Sequence, residues 1–139
     1  MDDPYDLERF VAAQAPVYQQ VLGELRTGRK RSHWMWFVFP QIAGLGHSAT
    51  AQHYAISSRA EATAYLGHPL LNTRLRECAG LVVVIAGRTV GEIFGSPDDL
   101  KFHSSMTLFG SVATDREIFM TAIEKYFDGV PDRQTIDRL

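Results

Sequence analysis

Apolar residues along this chain recur at helical rather than strand intervals. In "DDPYDLERFVAAQ", Leu7, Phe10 and Val11 form one stripe, with Asp3 placed to cap the helix and Pro4 at its first position. Pro16 interrupts this helix, and Val17, Val21, Leu22 and Leu25 continue an apolar face until Gly28 stops it. Leu70, Leu71, Leu75, Cys78, Val82 and Ile85 follow the same period. The run "VVVI" alone reads as a strand, but the Leu-, Arg- and Glu-rich residues leading into it favour a helix through the core. Ile118, Phe119, Ala122, Ile123 and Phe127 make a further stripe that Gly129 ends, and "DRQTIDRL" reads as a surface turn.

Four Ser/Thr-x-x-acid patterns mark helix starts: Ser58 with Glu61, Thr89 with Glu92, Ser96 with Asp99, and Thr114 with Glu117. In each, the hydroxyl can accept from a free backbone N–H while the acid reaches back to the cap. No two runs alternate around a hairpin turn. The pattern therefore predicts an all-α fold, a single compact domain over residues 1–139 with about seven helices, several short.

Composition narrows the function classes. Hydrophobic residues make up 45% and charged residues 22%, the balance of an ordinary globular domain. A net charge of −2 argues against coating nucleic acid or an anionic membrane as the main role. The longest apolar run, "AGLVVVIAG", is far shorter than the ~20 residues of a membrane span. Cys78 is the only cysteine, and the acidic start lacks a secretory pattern, so a reducing cytoplasm is the expected location. Nothing cationic flanks Cys78, which reads as an inert core thiol.

Common catalytic signatures are absent: no phosphate-binding glycine loop, no nucleophile elbow, and no close i, i+4 pair among the five histidines. Neither a metal nor a cofactor is implied. Three segments stand out instead. "GRKRSHWMWFVFPQ" runs three cations, Arg29, Lys30 and Arg31, into both tryptophans. It reads either as a core plug or as an aromatic face, of Trp34 or Trp36, that stacks on a planar ligand beside a charge for phosphate. "GLGHSATAQHYAI" is a loop followed by a helix bearing His53 and Tyr54, and His53 suits acid–base work at neutral pH unless it simply packs. In "SPDDLKFHSSMTLF", Asp98, Lys101 and Ser105 share one helical face with Ser104 beside them; Asp99 is either an acid–base group or a cap.

These segments, with "AYLGHPLLNTRLREC" between them, closely resemble the bacterial domain of unknown function 1810 family, over nearly the whole chain from "YDLERFVAAQ" to "DRQTIDRL". The resemblance implies a compact, largely helical, cytoplasmic protein without an assigned activity. Members are often labelled calpastatin, yet that inhibitor acts through extended repeated segments, and this chain has a globular composition and no repeat. "AQHYAI" followed by "AYLGHPLL" is also similar in layout to the NADAR domains of NAD and ADP-ribose chemistry, with Gln52 where those domains carry an acid. That likeness implies a nucleotide-derived small molecule as ligand and, at its furthest, N-glycoside hydrolysis.

On this reading Trp34 or Trp36 stacks on the base, and Arg31 and Lys101 meet phosphate. Gln41, Tyr54, Ser104 and Ser105 complete the lining, and His53, Asp99 and Lys101 are the candidate catalytic groups. It requires residues 31–41, 52–54 and 98–105 to converge on one cleft. The alternative is a non-enzymatic interaction or regulatory domain, in which the same polar residues serve caps and internal hydrogen bonds.

Overall fold

The computed structural model describes residues 2–139. Its ten helices are α1 (Glu8–Gln14), α2 (Tyr18–Thr27), α3 (Met35–Val38), α4 (Ala49–His53), α5 (Arg59–Gly67), α6 (Pro69–Val83), α7 (Val90–Phe94), α8 (Asp98–Val112), α9 (Glu117–Phe127) and α10 (Arg133–Asp137). Among the described residues there is no strand, only a parallel bridge between Ile42 and Ile56, and no helix long and apolar enough to cross a membrane.

Ten helices replace the expected seven or so. As expected, several are short: α3, α4, α7 and α10 have four or five residues each, and α4 and α7 stand where the His53 helix and the Thr89 cap were expected. Such turns hold too few positions to display a 3.6-residue period, and they owe their stability to packing and caps. The closing "DRQTIDRL", expected as a surface turn, contains α10: Asp132 caps it by accepting from the Thr135 N–H, and Thr135 is buried. The ambiguous "VVVI" is helical as far as Val83.

The capping patterns divide. Thr89 and Glu92 form the full reciprocal box. Ser58 accepts from the Glu61 N–H, but the Glu61 carboxylate turns to Ser57 and to Arg9 instead of back to Ser58. Ser96 and Thr114 do not cap, because α8 and α9 begin after Pro97 and Arg116 with no side-chain cap bond. Asp3 does serve its helix, accepting from the N–H groups of Leu7 and Glu8.

Helix α8 runs through the middle of the molecule, touching α5, α7, α9 and α10. Its buried residues run almost without a break from Phe102 to Gly110, which explains why no single apolar stripe announces it. Phe39, Phe94 and Phe102 cluster at its start, with Phe39 edge-on to the other two. Phe10, Tyr65 and Phe109 continue the aromatic core. This core fixes the start of α8 against α3, and that junction is where the signature segments meet.

Candidate functional site

The basic-aromatic stretch is organised by a residue outside it. At the end of α2, Gly28 adopts a left-handed conformation (φ 79°) and turns the chain back. Glu24, in the last turn of α2, then collects the returning donors. Its Oε1 accepts from Arg31 N (2.7 Å), Ser32 N (3.1 Å) and Trp34 Nε1 (3.0 Å). Its Oε2 accepts from Ser32 Oγ (2.6 Å) and Gln20 Nε2 (3.1 Å). Burial works against the charge, but the bonds from Arg31, Ser32 and Trp34 outweigh it and hold the Glu24 carboxyl down at about 2. Trp34 is thereby sealed, 1% exposed, while Trp36 two residues on remains half-buried at the surface.

Trp36 faces α8. Lys101 Nζ lies 4.7 Å from the centroid of its ring, within cation–π range. Lys101 also approaches Asp98 Oδ1 at 3.6 Å, and Asp98 Oδ2 pairs with Lys30 Nζ at 2.8 Å. The three side chains are 20%, 20% and 8% exposed, in the order Lys101, Asp98, Lys30. Two cations thus share one carboxylate in a largely desolvated corner, and a second carboxylate, Asp132, stands with Lys101 on the wall of the adjoining cavity.

Beside this corner lies a cavity of about 360 Å³, lined by Gln41, Leu45, Leu100, Lys101, Ser104 and Asp132 among others. A narrow slit bounded by Trp36, Tyr54 and Ala51 adjoins it, sharing Gln41, Gly46 and Lys101 with the cavity. On the far side, Trp36 and Tyr54 also line an open groove with His33, His53 and Thr50. The loop at Gly46 comes close to α4: a Cβ there would sit 2.6 Å from the Ala51 Cβ, so only glycine fits. Arg9 ties the other end of α4 down. Its guanidinium donates to the carbonyls of His53 and Ala55 (each 2.9 Å) and pairs with Glu61 at 2.8 Å.

The candidate residues separate accordingly. Lys101, Gln41 and Ser104 line the cavity, and Trp36 and Tyr54 line the slit. His53 faces only the open groove. Trp34 is closed off in the core, and Arg31 contributes a backbone N–H to Glu24 while lining neither cavity nor slit. Ser105 is fully buried with no partner for its hydroxyl. Asp99 lies on the α7 side of α8, its Oδ2 3.9 Å from where a Gly91 Cβ would stand, and it lines neither cavity nor slit. Of the required convergence, Trp36, Gln41, Tyr54, Lys101 and Ser104 border the cavity or its slit, and Arg31, Trp34, His53, Asp99 and Ser105 stand outside. Glu24 and Asp132 were not singled out by sequence. The one available signal was the Asp132-x-x-Thr135 spacing of a helix cap. Among the described residues no group of three or more His, Cys, Asp or Glu side chains is placed to hold a metal ion.

Comparison with known proteins agrees with the fold. Residues 4–139 match the family model described as "Protein of unknown function (DUF1810)". No curated protein matches the chain. Among solved structures, the chain is similar to the conserved hypothetical protein Rv1873 from Mycobacterium tuberculosis. The two are 58% identical with a TM-score of 0.97, over 99% of this chain and 98% of that one.

Proposed function

The chain belongs to the DUF1810 family, and we propose from its geometry that it binds a nucleotide-derived small molecule of the NAD or ADP-ribose type in the cavity beside Trp36. The observation that carries this reading is the Lys101 ammonium on the cavity wall, which has to share the Asp98 carboxylate with Lys30. Its contact with Asp98, at 3.6 Å, is longer than that of Lys30, at 2.8 Å, and a phosphate entering the cavity would give Lys101 a closer, charge-assisted partner. The Trp36 ring lies outside the cavity itself, on the slit of about 10 Å³ that adjoins it and on the open groove beyond, and the groove is where it offers an aromatic surface to a planar base. The Gln41 amide makes no hydrogen bond within the described chain and faces both cavity and slit, ready for the polar edge of a ligand. At about 360 Å³ the cavity falls within the range of small-molecule sites.

Binding is better supported than N-glycoside cleavage. Of the three candidate catalytic groups only Lys101 lines the cavity, while His53 and Asp99 lie outside it. The interaction-domain alternative draws on a different observation: Leu100 and Val130, about 60% exposed, stand near the cavity mouth, where the Val130 carbonyl meets the His103 ring.

A thermal-shift panel of ADP-ribose, NAD, AMP and adenosine separates the two. A ligand at about 100 times its Kd adds about 2.7 kcal/mol, several degrees for a domain of this size. The ligand reading expects shifts from the phosphorylated compounds that Lys101→Met removes. A flat response across the panel favours the interaction domain.

A further inference from the structure

We propose that Asp132 is the hydroxyl-recognising group of this cavity and selects a ligand with a free ribose diol. The inference rests on the reading of the cavity as a nucleotide-derivative site and specifies which derivatives it takes.

Asp132 is held from several directions. Its Oδ2 accepts from Thr135 Oγ1 (2.6 Å), Ser104 Oγ (3.0 Å) and Thr135 N (3.3 Å), and its own N–H donates to Thr107 Oγ1 (2.9 Å). All these bonds to the carboxylate fall on one oxygen. Oδ1 accepts nothing from the described residues, although the side chain lines the cavity. A carboxylate oxygen has room for two donors, and a fixed carboxylate with one oxygen free is set up to receive them from a ligand.

The charge of the site decides what kind of donor that is. Lys101, one helical turn before Ser104 on α8, brings a positive charge to the wall that also carries the Asp132 carboxylate. The His103 ring, also on the cavity wall, is engaged with the Val130 carbonyl at 2.7 Å. A cationic ligand group would meet Lys101 as well as Asp132, so the donor that fits both is neutral. Hydroxyls fit, and a ribose presents two side by side. Lys101, Ser104 and Asp132 all line the one cavity, so a single ligand can meet Lys101 with its phosphate and Asp132 with its hydroxyls.

The test is calorimetric titration of the full chain with AMP and ADP-ribose and with their 2′-deoxy counterparts. The wild type and Asp132→Asn are compared, and asparagine keeps the cap of α10 because its side-chain oxygen serves as well at that position. The expected result is that the wild type loses about tenfold or more in affinity on removing the 2′-hydroxyl, as for a hydrogen bond to a charged group. Asp132→Asn should lose a similar factor on the ribose ligands and bind ribose and deoxyribose forms about equally. Equal wild-type affinity for both forms, still abolished by Lys101→Met, overturns the role of Asp132 while leaving the cavity a nucleotide site. No binding of any form by the wild type overturns the cavity reading and this inference with it.

Discussion

The indole N–H of Trp34 donates to Glu24 Oε1 at 3.0 Å, across ten residues of sequence. This bond separates two tryptophans that look equivalent on paper. Trp34 is drawn into the core under the turn that Glu24 gathers, and the four-residue helix α3 then presents Trp36 to Lys101. The anchor of the candidate site is therefore a carboxylate that touches no part of the cavity.

Removing that anchor should be costly. Glu24→Ala leaves the N–H groups of Trp34, Arg31 and Ser32 without their acceptor, and a loss of about 3 kcal/mol is expected. Urea unfolding followed by circular dichroism measures it. The emission of Trp34 should shift to the red in the same variant if the turn opens.

The same group sets an acid limb of stability. Its folded carboxyl lies at about 2 against an ordinary 4.5, so the unfolded chain takes up the proton first as pH falls. The stabilisation is in full force above about pH 4.5 and is lost progressively as pH drops towards 2. Urea midpoints measured across this interval should decline in the wild type and decline less steeply in Glu24→Gln.

At Gly46 a methyl group should do disproportionate harm. It would stand 2.6 Å from the Ala51 methyl, which has no rotamer to swing away, so the loop and α4 must part. Gly46→Ala should cost about 1–3 kcal/mol, the range for overpacking, and should weaken any ligand of the cavity, whose wall includes Gly46. Thermal melts with and without ADP-ribose check both.

How much of this was legible beforehand depends on where the relevant partner lies. The stripes through α2, α6 and α9 were readable because each helix carries its own apolar face. The ligand reading required residues 31–41, 52–54 and 98–105 to meet, and Trp36, Gln41, Tyr54 and Lys101 are the part of them that does so, around the slit. Which tryptophan reaches the slit beside the cavity was not readable, because the choice is made by Glu24, and a glutamate in the last turn of an amphipathic helix looks like a solvated residue. Asp132 was lost similarly: its partners Ser104 and Thr107 lie 28 and 25 residues away, beyond any local pattern. Ser96 and Thr114 show the opposite failure, local capping patterns that tertiary packing overrode by starting each helix later.

Cys78 should be silent. It is fully buried, burial pushes its thiol up to about 12, and the Tyr18 hydroxyl is its neighbour at 3.7 Å. A thiol reagent at pH 8 should label the native protein only as fast as it unfolds and label it completely in denaturant. Rapid labelling without denaturant would contradict the packing of α6.

The most direct measurement of the central claim is a ¹H–¹⁵N spectrum of the two indole N–H groups during titration with ADP-ribose. Trp36→Phe assigns the signals. The account predicts that the Trp36 signal moves and saturates while that of Trp34, held on Glu24, stays in place, and that Lys101→Met abolishes the movement. Two signals that both stay still at millimolar ligand, or movement at Trp34 alone, would contradict it.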